Sequence, residues 1–208
     1  MKKIKILVLG VLIVMILAAC GKEEVDLTTG VVDGIKYEET ESVTTNIKIE
    51  MNNQDLILLE LYPDSAPLTV ENFQKLVKDK FYDGTKFHRV MENFMIQAGR
   101  SAHGKTAESI KGEFLNNGVD NYVLHEKGVI SMARRGDDMD SASSEFFIMH
   151  KKDTFLDRDY ATFGKVIAGM STVDKIAKTP VDKSDPNFPV PLTDQVIKSI
   201  RFINIIED

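Results

Sequence analysis

The chain has 208 residues, a formal net charge of −6, 43% hydrophobic residues and 28% charged ones. That length and balance suit one globular domain with a sizeable core. The acidic surplus excludes a nucleic-acid-binding surface spread over the whole molecule, and a single cysteine excludes an internal disulfide.

Lys2, Lys3 and Lys5 open the chain, and an apolar run follows from Ile6 to Ala19. The run falls short of the about 20 residues that span a bilayer, but it fits the core of a signal peptide. It ends in "LAAC", residues 17–20, ahead of Gly21. Small residues before a cysteine resemble a bacterial lipobox. The resemblance implies cleavage before Cys20, lipidation of that residue and an extracytoplasmic protein anchored to the bacterial cell membrane. Residues 1–19 are thus expected to be a lipoprotein signal peptide. Their removal takes away three lysines and brings the charge to −9. Residues 21–42 hold seven acidic and two Lys side chains with little periodicity. Residues 20–44 are therefore expected to be an acidic flexible tether, although "GVVDGIKYEE" within it also reads as a first strand.

From residue 45 the pattern changes. "TNIKIEM" alternates Ile47, Ile49 and Met51 with polar residues, as a half-buried strand does. "NNQ" makes a turn, and "DLILLELY" completes a hairpin. "TVENFQKLVKDKF" sets Val70, Phe73, Leu76 and Val77 on one helical face, with Glu71 early and lysines late. Short β runs follow at "FHRVM", "FMIQAG", "GVISMA", "EFFIMH" and "ATFGKVI". A second helix is expected at "STVDKIAK" (171–178) and a last strand at "QVIKSIRFINI" (195–205). Many short strands with two helices point to a closed or nearly closed antiparallel barrel plugged by helices. The folded domain is expected to cover 45–208.

"APLTVENFQKLVKDKFYDGTKFHRVMENFMIQAG" (66–99) resembles the signature region of cyclophilin-type peptidyl-prolyl cis-trans isomerases. "HEKGVISMAR", "SASSEFFIMH" and "TFLDRDYATFGKVIAGM" are similar to the later blocks of that family, in the same order, and "PLTDQVIKSIRFINI" fits its closing strand. The resemblance implies a mostly β fold: a closed eight-stranded antiparallel barrel capped by two helices, with the active groove on its outside. It implies a rotamase acting on proline-containing polypeptides in exported or cell-envelope proteins, assisting their folding. No covalent bond breaks, so neither nucleophile, metal nor cofactor is needed.

Arg89 resembles the family's catalytic Arg. Alternation in "FHRV" puts Phe87 and Arg89 on one face and His88 and Val90 on the other, so the guanidinium is expected outside the core. By the same resemblance Phe94, Met95, Phe147 and Leu156 wall a proline pocket. Gln97 bonds the substrate backbone and orients Arg89. Ala133 and the backbone of Arg134 take the residue before proline. Phe155 stands where many members have Trp, which removes an indole N–H and implies weak cyclosporin binding. Tyr160 stands where His is frequent and keeps a donor. Glu145 stands where Gln is usual, either as a solvated charge without effect or with Arg89, Arg134 or Arg135 as partner; if it acts on the groove, its charge is expected to favour Lys or Arg beside the proline. These departures, with the sparse glycines of 100–112, leave a second reading open: a catalytically weak Pro-peptide-binding or chaperone module of the same fold. His88, His103, His125 and His150 lack ligand spacing, so no metal site is expected. There is no G-x-S-x-G, and Ser144 belongs to the "SSEFF" block.

Overall fold

The computed structural model describes residues 28–207, so the expected signal peptide and Cys20 lie outside the described residues. The described chain opens with a hairpin, β1 (Thr29–Val32) and β2 (Ile35–Thr40). Its two-residue turn, Asp33–Gly34, has φ of 49° and 86°. A tight hairpin turn with both central residues at positive φ matches the twist of the strands it joins. β2 then pairs antiparallel with the closing strand, β13 (Gln195–Ile206), from Thr40↔Phe202 to Lys36↔Ile206.

The expected flexible tether is therefore corrected over 29–40, where the chain is part of the sheet. Two of its acidic side chains have partners: Asp33 Oδ2 accepts the Gly169 N–H at 2.7 Å, and Glu39 pairs with Lys48. Glu39 and Glu50 both form ion pairs with Lys48, whose side chain is 4% exposed. Burial would push the Lys48 ammonium down, but Glu39, Tyr37 and Glu50 hold it above its ordinary value. Tyr37 is 4% exposed and packs in one cluster with Leu58, Ala168 and Ile203 on the outside of the sheet.

β3 (Asn46–Met51) and β4 (Leu56–Leu61) form the second hairpin. Helix α1 (Pro67–Lys78) starts with proline, which tolerates the first helical turn because its missing N–H has no partner there. The Leu68 and Thr69 N–H groups donate to the Glu113 carboxylate at 3.0 and 2.7 Å. There follow β5 (Lys86–Phe87), β6 (Arg89–Met91), β7 (Met95–Ala98), β8 (Val129–Met132), β9 (Phe146–Met149) and β10 (Thr162–Ala168). Helix α2 (Met170–Ala177) and a small ribbon, β11 (Val181–Asp182) with β12 (Val190–Pro191), precede β13.

Eleven strands make one sheet in the order β1-β2-β13-β3-β4-β10-β8-β9-β7-β6, with β5 on β13. The expected mostly β fold with two helices is present, but the closed eight-stranded barrel is not. Among the described strands β6 pairs only with β7 and β5 only with β13, so the ladder does not close. The chain breaks strand at His88, between β5 and β6, and the Val90 N–H donates to the Pro189 carbonyl instead of to a strand. A proline has no N–H to return to a ladder.

One row of residues shows how the sheet separates its faces. Val90, Ile96, Ile148 and Ile130 lie opposite one another across β6, β7, β9 and β8, and all enter the main core. The helices close that core with Val70, Phe73, Leu76 and Val77 from α1 and Val173 and Ile176 from α2. Residues one step away along each strand face outward.

Tyr37→Ala should cost about 3 kcal/mol of unfolding free energy, the low end for emptying a buried aromatic site. Val31→Ala, at a position 61% exposed, should stay within about 0.5 kcal/mol. Urea denaturation checks both; equal stabilities would return the hairpin to a tether.

Candidate active site

The outward row runs Arg89, Gln97, Phe147, Ser131, directly opposed across β6, β7, β9 and β8. Next to it runs Met91, Met95, Met149. These rows build a second apolar cluster outside the core, in which Met95, Phe147, Met149 and Leu156 are buried and Phe94, Ala133 and Tyr160 pack against them. Ten of the eleven residues singled out in the sequence line a single groove of about 450 Å³ over this cluster. The eleventh, Glu145, sits behind Gln97 and not in the lining.

Arg89 points outward as expected, but the alternation argument is corrected. Phe87 and Val90 both enter the core, at 0% and 1% exposure, although they were assigned to opposite faces. The break at His88 resets the phase between β5 and β6. His88 is buried and stacks on Phe188, ring centroids 5.9 Å apart.

The guanidinium is held on all sides by neutral partners. Nε donates to the Asn187 carbonyl at 2.9 Å, Nη1 to Gln97 Oε1 at 3.1 Å, and Nη2 to Met91 Sδ at 3.3 Å. Its carbon lies 5.7 Å from the centre of the Phe188 ring, within cation–π range. Burial pushes its pKa down, with Tyr160 and Asp185 opposing, yet an arginine stays charged in water at any ordinary pH.

Asn187 and Phe188 were missed in the sequence. The available signal is one aromatic inside the polar, proline-rich "KSDPNFPV" loop, where only a surface role would otherwise be read.

Behind Gln97 the network continues. Gln97 Nε2 donates to Glu145 Oε2 at 2.9 Å and Arg100 Nε to Glu145 Oε1 at 3.2 Å. His88 Nε2 lies 3.2 Å from Glu145 Oε2, off the hydrogen-bonding line. The expected partners of Glu145 are corrected accordingly: they are Gln97, Arg100 and His88, since Arg89 turns to Gln97 and Arg134 donates to the Asp159 carbonyl at 2.9 Å. Arg135 pairs with Asp138. Burial alone would raise the Glu145 pKa, but His88 and Arg100 outweigh it and lower it to about 2.

The opposite wall is fixed by a buried relay. Ser131 Oγ lies 3.0 Å from His125 Nε2, and His125 Nδ1 lies 2.9 Å from Asp157 Oδ1. The His125 ring stacks nearly flat, at 13°, under Phe147. Tyr160 meets Phe147 edge-on and carries the Arg134 guanidinium 4.9 Å above its own ring. The relay has the residue types of a hydrolytic triad, yet Ser131 and His125 are 0% and 1% exposed, so no substrate reaches the hydroxyl. Asp157 instead pins the turn that carries Phe155 and Leu156. Leu156 points into the groove floor, whereas Phe155 is 84% exposed at its rim.

The family model for cyclophilin-type peptidyl-prolyl cis-trans isomerases matches residues 46–201. The chain belongs to this family. A peptidyl-prolyl cis-trans isomerase of Acinetobacter baylyi is 42% identical over 171 residues, covering 75% of this chain and 88% of that one. Peptidyl-prolyl cis-trans isomerase A of Dickeya dadantii is 40% identical, covering 71% and 79%. The crystal structure of a Cryptosporidium parvum cyclophilin, determined in the presence of the dipeptide Ala-Pro, aligns with a TM-score of 0.66 at 26% identity, over 78% of this chain and 99% of that one. In this cyclophilin the β1–β2 hairpin precedes the matched region, while every groove residue named above falls within it.

Glu145 provides a test of the network's electrostatics. A carboxyl whose pKa falls from 4.5 to about 2 on folding stabilises the fold above pH 4.5, and that stability is lost as pH drops through about 2. Glu145→Gln should therefore be less stable than wild type at neutral pH, and the gap should shrink between about pH 4.5 and 2. Thermal melts across that range check it; a pH-independent gap would remove the charge from the explanation.

Proposed function

We propose that this cyclophilin isomerises X–Pro bonds in the groove, with Arg89 as the donor that stabilises the twisted bond. Amide resonance holds the bond with a barrier of about 18–20 kcal/mol, and uncatalysed exchange takes roughly tens to hundreds of seconds. Lowering the barrier by about 5 kcal/mol accelerates it several thousandfold. As the bond twists, the prolyl nitrogen loses conjugation, becomes pyramidal and gains a lone pair. A donor aimed at that lone pair binds the twisted state better than either planar state. The proline ring rests on Phe94, Met95, Phe147 and Leu156. Gln97 and the backbone at Ala133 and Arg134 hold the flanking peptide groups. The supporting observation is the Arg89–Gln97 contact over an apolar floor: a charged, oriented donor beside a hydrophobic pocket. Weak cyclosporin binding belongs to the same reading, because the exposed Phe155 offers ring surface but no N–H.

Arg89→Ala should lower kcat/KM about 100-fold, the loss typical of one transition-state donor, with its melting temperature close to wild type. A folded variant of wild-type activity would remove Arg89 from the mechanism, and a wild type without turnover would favour the peptide-binding module.

The same reading makes the clients exported or cell-envelope chains and the protein a lipoprotein anchored through Cys20. The support is "LAAC" after a short apolar run. The hairpin begins at Thr29, so the intervening chain reaches at most about 30 Å and would keep the domain close to the lipid. Two acyl chains on Cys20 would make the anchorage firm where one would not. Cys20→Ser should release the protein from membranes or leave its precursor uncleaved. Fractionation that finds the mutant as mature and as membrane-bound as wild type overturns the anchor.

A further inference from the structure

The groove's charge preference follows from where Arg100 stands. β7 ends at Ala98 and the chain continues through Gly99 to Arg100; at Gly99 it lies tight against its neighbour, where a Cβ would sit 2.3 Å from the Ser144 carbonyl oxygen. The next carbonyl, that of Glu145, accepts the Ala133 N–H at 2.8 Å. Arg100 and Glu145 therefore stand just outside the lining, against Gln97 and Phe188 of the groove and next to Ala133, which was assigned above to the residue before proline.

At that end the carboxylate is already engaged. Glu145 Oε1 takes Arg100 Nε, and Oε2 faces Gln97 and His88. Arg100 is the reverse case. Its hydrogen bonding among the described residues uses Nε alone, its side chain is 58% exposed, and its carbon lies 5.5 Å from the centre of the Phe188 ring. One edge of the fork is anchored on Glu145 and one face rests on an aromatic ring. A guanidinium held this way has lost much of its freedom before a ligand arrives, and its planar fork matches a carboxylate.

We propose that Arg100 reads an acidic side chain on the N-terminal side of the substrate proline, so that the preferred clients are acidic X–Pro segments. This rests on the isomerase reading and deepens it. It also reverses the sign expected from the sequence, where Glu145 alone suggested a preference for basic neighbours. The protein as a whole is acidic, at −6, so the preference arises from a local contact rather than from the overall field.

The test compares peptides with Glu, Gln or Lys two residues before proline, and a second set with the same residues two positions after it. The full chain is assayed for kcat/KM by NMR exchange and for Kd by titration. Glu should exceed Gln about threefold in the first set, the size of an exposed charge pair, and Lys should fall below Gln. Arg100→Gln should bring the Glu/Gln ratio to one or below. Arg100→Lys, which keeps the charge but loses the fork, should fall between. Equal values in the wild type, a preference for Lys, a preference confined to the second set, or a ratio unchanged in Arg100→Gln would each overturn the proposal. Absence of turnover with every peptide would overturn the isomerase reading instead, and the ranking of Kd values would then decide the role of Arg100.

Discussion

An arginine cannot shed its charge to suit an apolar setting, so every part of the groove has to be arranged around the Arg89 guanidinium. Unpaired in a core, that charge would cost far more than packing returns. Paired directly with a carboxylate, its donors would be directed away from a substrate. The structure takes a third course. The guanidinium is met by a backbone carbonyl, an amide oxygen, a thioether and an aromatic face. Each neutral partner orients it, and none cancels it. The carboxylate that does stand nearby, Glu145, acts one residue removed: it accepts from Gln97, whose other end accepts from Arg89. Negative potential thus reaches Arg89 through a dipole.

That arrangement depends on a sheet with two working faces. In β6, β7, β9 and β8 one row of aliphatic residues closes the core, and the adjoining row supplies the groove. The rigidity of the first holds the geometry of the second, because a packed interior resists displacement. The buried Ser131–His125–Asp157 relay extends the same logic sideways. It supports Phe147 from beneath and fixes the turn that delivers Leu156, so a wall made by a connecting segment is held as firmly as one made by strands.

What was legible in the sequence follows the range of the interactions concerned. The hairpin at 46–61, the apolar face of α1 and the β runs of the core are written in local periodicity, and they form. The groove residues were legible because their ordered blocks resemble a known family, and one cavity collects ten of the eleven. Three features were not legible. The phase break at His88 has no local signature, since "FHRV" alternates perfectly well on paper. The Val90 N–H leaves the ladder for the carbonyl of Pro189, a residue about a hundred positions away. Glu145 could be seen to be unusual, but not that Arg100 and His88 would claim it, because these contacts arise from how the ends of β7 and β9 and the break before β6 are brought together.

The N-terminal hairpin shows how differently two apolar clusters on the outside of the sheet are treated. The outside of the sheet carries two apolar clusters, each with a basic residue beside it. Over one, the chain folds its own β1–β2 hairpin: Tyr37 covers Leu58 and Ile203, and Lys48 is closed off by Glu39 and Glu50. There the cation has carboxylate partners and its side chain is 4% exposed. Over the other, among the described residues, no strand is laid across Met95 and Phe147, and Arg89 makes no ion pair. The same physical elements, an apolar patch and a cation, give structure where acidic residues of the chain satisfy them. They give a binding site where the chain leaves the charge neutral-partnered and the surface open. Glu39, one of the acidic residues that suggested a tether before β3, is thus a partner of Lys48 within the sheet.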